Sequence, residues 1–242
     1  MTAALSRSKS KDNLLPTHIA IVPDGNGRWA EKRGLSRIDG HAEGTENMYR
    51  MVEYINEYNI PFLTLYGFST ENWRRPEEEV TGLFDLLTGF IARVTPDIHK
   101  EGIKLVHIGR LGELPDNLGQ AISYAVDLTR NNTRLTLNIA FNYGGRAEIV
   151  DAVRRIIDDG IPSKDIDENL IERYLYTADS PSVDLLIRTG NELRLSNFLI
   201  WQTSYSEYYF TDVLWPDFGR QDIDKALDFY RNRQRRFGGL QV

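Results

Sequence analysis

The feature that most constrains this chain is an alternation. Six short apolar runs, at residues 19–22, 62–68, 103–108, 135–140, 183–187 and within 207–210, are interleaved with segments of helical period. Residues 41–59 carry Met48, Met51, Val52 and Ile55 at i, i+3, i+4 and i+7, the spacing of one buried helix face. Pro76 followed by three glutamates opens another helix, with an apolar stripe of Val80, Leu83, Phe84, Leu87, Phe90, Ile91 and Val94 reaching Pro96. Further helices are expected over 116–131, around Ile149–Ile157, over 167–175 and over 220–236. Strands alternating with helices through short loops predict an α/β fold with a mostly parallel central sheet flanked by helices. No linker, repeat or low-complexity tract divides the 242 residues, so one domain is expected over 17–242, after a polar, basic, disordered tail at 1–16.

Ligands of open parallel sheets bind beyond the carboxyl ends of the strands. Three such ends carry polar, arginine-rich clusters: Asp24-Gly25-Asn26-Gly27-Arg28, then Ser69 through Arg75, then Arg188 through Ser196. A strand, a glycine turn and a helix start form an anion site. Asp24 in that place is unfavourable for a phosphate unless a divalent cation lies between them. Asp24 with Arg28 therefore reads as a metal-plus-arginine clamp, although on these residues alone a plain Asn/Gly turn reads equally well. Several arginines, each able to fork onto phosphate oxygens, suggest two phosphorylated groups. Glu207 lies inside an aromatic row (Trp201, Tyr205, Tyr208, Tyr209, Phe210). A buried carboxylate needs a cation or donors, which makes Glu207 a candidate second metal ligand.

Composition removes other chemistries. The chain has no cysteine, which excludes disulfides, thiolate nucleophiles and thiolate metal sites and agrees with a reducing, cytoplasmic setting. A net charge of −6 argues against a nucleic-acid partner. No apolar run has the ~20 residues of a membrane span.

The segments DGNGRWA, Gly40-His41, YGFSTENWRRP, LNIAFNYGGR, IRTGNELRLSNFLIWQ and YFTDVLWPDF together resemble the cis-prenyltransferases, the undecaprenyl diphosphate synthase family, from about Thr17 to Gly239. The resemblance implies Mg²⁺-dependent, repeated condensation of isopentenyl diphosphate onto an allylic diphosphate, farnesyl diphosphate as a rule, giving a Z-polyprenyl diphosphate of undecaprenyl type. It implies that Asp24 is the essential aspartate at Mg²⁺ and the leaving diphosphate. Gly25, Asn26, Gly27, Arg28, Trp29, Arg37 and His41 would surround the allylic diphosphate. Ser69, Thr70, Glu71, Trp73 and Arg75 would form a second substrate loop around Asn72, the proton acceptor or a positioning residue. Arg188, Arg194, Leu195 and Ser196 would hold isopentenyl diphosphate, and Glu207 the metal. An apolar tunnel between sheet and helices would take the growing chain, lined by Leu83, Phe84, Leu87, Phe90, Ile91, Leu135, Leu137 and Ile139, residues that suit an ordinary core equally well. Gly67 suggests room at its mouth and a medium-to-long product.

The resemblance further implies a homodimer, with Arg236-Phe237-Gly238 near the neighbouring site, and cytoplasmic action beside a membrane touched peripherally at product release; the aromatic residues 205–210 with Trp215 are a candidate for part of its interface. The chain departs from the pattern at Pro23, where methionine is usual, and at Leu193, where some members carry a metal-associated histidine. Four other readings compete with this one. A short-chain Z-isoprenyl synthase remains open. A non-catalytic partner subunit would lose the aspartate and arginine set kept here. Rossmann oxidoreductases and trans-type prenyltransferases lack support, because neither GxGxxG nor DDxxD is present.

Overall fold

The structure, a computed structural model, describes residues 15–233. The elements run β1 (His18–Val22), α1 (Asn26–Glu31), α2 (Arg37–Glu57), β2 (Phe62–Ser69), α3 (Glu77–Lys100), β3 (Ile103–Ile108) and α4 (Asp116–Thr129). They continue with β4 (Leu135–Tyr143), α5 (Gly145–Asp158), α6 (Glu168–Tyr174), β5 (Leu185–Arg188), β6 (Glu207–Phe210) and α7 (Arg220–Arg231). The strands form one sheet in the order β3-β4-β2-β1-β5-β6, and every pairing is parallel. All six strand ends therefore share one rim.

Strand alternation divides the interior. Ile19, Ile21, Leu63, Leu65, Leu185 and Ile187 pack with Met51, Val52 and Ile55 of α2, Val94 and Ile98 of α3, and Ile223, Ala226 and Leu227 of α7. Ala20, Tyr66, Ala140 and Leu186 face the other way, against Phe198 and Leu199 of the coil that follows β5. Local chemistry places the helix starts. Ser36 caps α2 in a reciprocal capping box with Asp39, and the Asp167 side chain accepts from the Leu170 amide at 2.7 Å to start α6.

Helix α3 continues through Pro96 to Lys100; one lost backbone bond is outweighed by continued burial of the stripe at Ile98. Two expectations change. Of the apolar face expected on α5 (Ile149, Val153, Ile156 and Ile157), Ile156 is buried, but Val153 and Ile157 are exposed, Ile157 by 67%. Trp215 is fully buried, stacked on Phe218 with its indole N–H on the Gly44 carbonyl at 2.7 Å. It cannot belong to an interface, whereas Tyr205 is 76% exposed. The tail at residues 1–14 and the Arg236-Phe237-Gly238 segment lie outside the described residues.

Candidate active site

Asp24 follows β1 by two residues and is held by its backbone. Its N–H donates to Thr189 Oγ1 at 2.8 Å, and its carbonyl accepts from the Trp215 amide at 3.1 Å. Gly25 has φ 115° and no space for a Cβ beside Leu214, so only glycine makes this turn. The Asp24 carboxylate, 30% exposed, takes Arg28 Nη2 on Oδ1 at 3.1 Å and Arg188 Nη2 on Oδ2 at 2.9 Å. α1 spans only six residues, so the positive field here comes mainly from guanidinium groups and only slightly from a helix dipole.

Arg188, with a side chain only 4% exposed, is the centre of one half of the site. Its guanidinium donates to Ser196 Oγ at 2.8 Å and to the Arg194 carbonyl, while its Nε has no partner among the described residues. Asn26 Oδ1 is likewise buried without one. Both atoms are enclosed by protein, Asn26 Oδ1 against Gly44 of α2, where a Cβ would stand 2.4 Å away. Glu192, which the sequence reading passed over, pairs with Arg194 and lies 3.8 Å from Arg28.

The other half gathers on Glu79, also missed. It accepts from Arg37 Nε at 3.3 Å, from His41 Nε2 at 3.3 Å and from Arg75 at 3.2 Å. Burial acts to raise the Glu79 pKa, but the hydrogen bonds from Arg37 and His41 and the arginine charges outweigh it and hold the carboxyl below its ordinary range. Burial lowers the His41 pKa, against the raising effect of the Glu79 bond, so the imidazole is neutral at pH 7. Gly27 leaves room for the Arg37 guanidinium, 2.7 Å from where a Cβ would stand. At the end of β2, Asn72 Oδ1 accepts from the Ser69 amide at 2.9 Å.

Both halves open on one cavity of about 380 Å³. Its mouth carries Asp24, Asn26, His41, Ser69, Asn72, Arg75, Arg188, Arg194 and Ser196. It continues inward between α2, α3, α4 and the sheet, past Leu83, Leu87, Phe90, Ile91, Leu137 and Ile139 to Ile98, Leu105 and Ala125. The expected tunnel is present, with two exceptions. Phe84 turns to Phe68, Trp73 and Phe141, and Leu135 is core. Gly67 does line the cavity, but a Cβ there would come within 3.1 Å of the Phe141 ring.

The remaining candidates surround the mouth without lining it. Trp29 donates to Asp217 at 2.7 Å under the Arg33 guanidinium, and Trp73 donates to Asn142 at 2.8 Å. Leu195 packs on the second core, and Thr70 and Glu71 face the loop at Asn197. Glu207 is a correction. It pairs in register with Leu185, which pairs with Ile19, at the start of parallel strands. That is five residues before Asp24, so ~16 Å of strand lies between them, and Glu207 Oε2 accepts from Arg233 at 3.0 Å. Within one chain it cannot share a metal with Asp24.

Comparison with known proteins decides the family. A family model described as "Putative undecaprenyl diphosphate synthase" matches residues 22–238. The chain belongs to the undecaprenyl diphosphate synthase family of prenyltransferases. An isoprenyl transferase of Heliobacterium mobile is 50% identical over 94% of this chain and 89% of its own length. A ditrans,polycis-undecaprenyl-diphosphate synthase of Photorhabdus laumondii, named as (2E,6E)-farnesyl-diphosphate specific, is 47% identical over 94% of this chain and 91% of its own. Among solved structures, a lavandulyl diphosphate synthase of Lavandula x intermedia in complex with dimethylallyl diphosphate superposes with a TM-score of 0.89. It shares 38% identity, covering 93% of this chain and 98% of that one. As a family member the chain is a prenyl-transferring enzyme acting on isoprenoid diphosphates. No helix of the described residues is long and apolar enough to cross a membrane.

Proposed function

We propose that this enzyme adds isopentenyl diphosphate repeatedly to an allylic diphosphate, with farnesyl diphosphate as starter, and releases a Z-polyprenyl diphosphate of undecaprenyl type. The observation that carries this reading is one cavity that joins a cation-rich mouth to an apolar tunnel. A diphosphate belongs at the first part and a hydrocarbon at the second.

The chain's own groups divide the work. Arg28, Arg37 and His41 hold the allylic diphosphate beside Asp24, so that negative charge developing on the leaving group meets preorganised donors. Arg188, Arg194 and Ser196 hold isopentenyl diphosphate. Asn72 sits between the halves, but its amide is a weak base and its Oδ1 is occupied by the Ser69 amide. It positions the reacting carbon, and the departing proton passes to a diphosphate oxygen. The tunnel walls take the chain as it lengthens and keep water from the cation.

Magnesium fits this site in one manner. No three acidic or histidine side chains converge among the described residues, so the protein offers no closed cage. Mg²⁺ retains water and accepts one or two carboxylates plus substrate phosphates, a role the partly exposed Asp24 carboxylate can serve. Bound there it would neutralise charge on the leaving diphosphate. The enzyme acts as a homodimer in the cytoplasm, a reading supported by the apolar side chains exposed on α5 and at Tyr205, and it meets the membrane peripherally at product release.

The test is a product assay with labelled isopentenyl diphosphate and farnesyl diphosphate, with Mg²⁺ or EDTA, and with Asp24→Ala. A ladder of elongated chains is expected, abolished by EDTA and reduced ~10²–10³-fold in kcat by the substitution. A single-addition product would replace the long-chain reading by the short-chain one. No product from any allylic starter would overturn both and favour a non-catalytic subunit.

A further inference from the structure

Asn197 joins three loops that the strands deliver separately. Its Nδ2 donates to Glu71 Oε1 at 2.9 Å, in the loop after β2. Its Oδ1 accepts from the Arg146 amide at 2.9 Å, and its carbonyl accepts from the Gly145 amide at 2.7 Å. The last two bonds serve a helix that cannot cap itself, because Gly144 at the start of α5 has no side chain; Asn197 supplies the missing acceptors from a distant loop. Its φ of 62° is left-handed, a conformation asparagine tolerates better than most residues. The approach is tight, since a Cβ on Gly144 would stand 2.8 Å from Asn197 Nδ2.

The neighbours give this junction its meaning. Asn197 follows Ser196, which Arg188 holds, and Glu71 precedes Asn72. We infer that Asn197 is a positioning residue: it latches the arm that carries Arg194 and Ser196 to the loop that carries Asn72, and so fixes isopentenyl diphosphate relative to the allylic carbon. The inference rests on the function proposed above. Burial acts to raise the Glu71 pKa, but hydrogen bonds, that of Asn197 foremost, hold it below the ordinary range, so the latch is an amide donor on a carboxylate. Such charge-assisted bonds are among the stronger ones.

Polarity makes the latch testable. Asn197→Asp keeps the acceptor for the Arg146 amide and the tolerance for a left-handed backbone, but sets two carboxylates face to face. Glu71→Gln alone still offers an amide oxygen to Asn197. The pair Asn197→Asp with Glu71→Gln restores a donor–acceptor bond with its direction reversed. Steady-state kinetics should show KM for isopentenyl diphosphate raised roughly tenfold or more in Asn197→Asp. KM for the allylic substrate should stay within about twofold, and the double variant should recover most of the loss. An unchanged KM in Asn197→Asp overturns the inference. So does an equal rise for both substrates, accompanied by a lower melting temperature that Glu71→Gln does not rescue. Failure of the unmodified enzyme to incorporate isopentenyl diphosphate at all would instead strike the function on which the latch depends.

Discussion

Glu79 governs the allylic half of the mouth at the scale of single residues. One carboxylate sets the positions of Arg37, His41 and Arg75, so its charge orders the donors before substrate arrives. Glu79→Gln keeps one acceptor oxygen and removes the charge. KM for the allylic diphosphate should rise roughly tenfold, the worth of one charge-assisted interaction, and an unchanged KM would remove Glu79 from this role. The sequence concealed it for a physical reason. Three glutamates after a proline are what any helix start favours, so Glu79 had a sufficient explanation without a site. Asp24, Asn72 and Arg188 stood out because three polar, arginine-rich clusters fall at three strand ends, although each cluster alone has an ordinary structural explanation; His41, inside α2, came only from the family resemblance. Glu207 was misplaced because composition shows a carboxylate among aromatics but not which end of its strand it occupies.

At the scale of elements, the alternation predicted the six strands and the parallel sheet but not how the polar residues inside the strands pair. His18, Thr64 and Asn138 lie on one face of β1, β2 and β4 and bond to one another, with Asn138 Oδ1 left without a partner among the described residues. Thr64 Oγ1 lies 2.7 Å from His18 Nε2 and accepts from Asn138 at 3.0 Å. The Pro181 carbonyl, 2.8 Å from Nδ1, can only accept, so the proton of the neutral ring is on Nδ1 and Thr64 donates to Nε2. Burial lowers the His18 pKa from 6.5 to about 4. Below pH 6.5 the unfolded chain takes up a proton that the folded one refuses. Stability from this group is therefore complete above 6.5 and declines as pH falls to about 4, by about 3 kcal/mol in all. Urea midpoints measured across that window should fall less steeply in His18→Gln than in the unmodified protein. Parallel curves would mean that His18 is not held neutral.

The whole molecule turns on a cavity that no local pattern could reveal. Leu83, Leu87, Phe90 and Ile91 repeat as any core-facing helix stripe does, and the sequence is silent on whether the space before them is filled. Phe84 shows this, an apolar member of the same stripe that packs solidly elsewhere, as does Leu135 on β4 among the strand residues. The hollow needs three helices standing off one side of the sheet, which is a property of the assembled layers. From Leu83 to Ile98 the α3 wall extends ~22 Å at 1.5 Å per residue. Because α3 begins at the strand-end rim and runs away from it, Val94 and Ile98 stand far from Asp24. Val94 lines the tunnel there with Ala125 of α4, so Val94→Phe should obstruct its deep part and leave the diphosphate sites untouched. The expected result is a shorter product ladder, with KM for both substrates and the rate of the first addition within about twofold of the unmodified enzyme. Filling existing space should cost less than the 1–3 kcal/mol typical of overpacking a solid core, so the variant should fold. A ladder of unchanged length from a folded Val94→Phe would mean that the growing chain does not travel along α3, and that it leaves the mouth by another path.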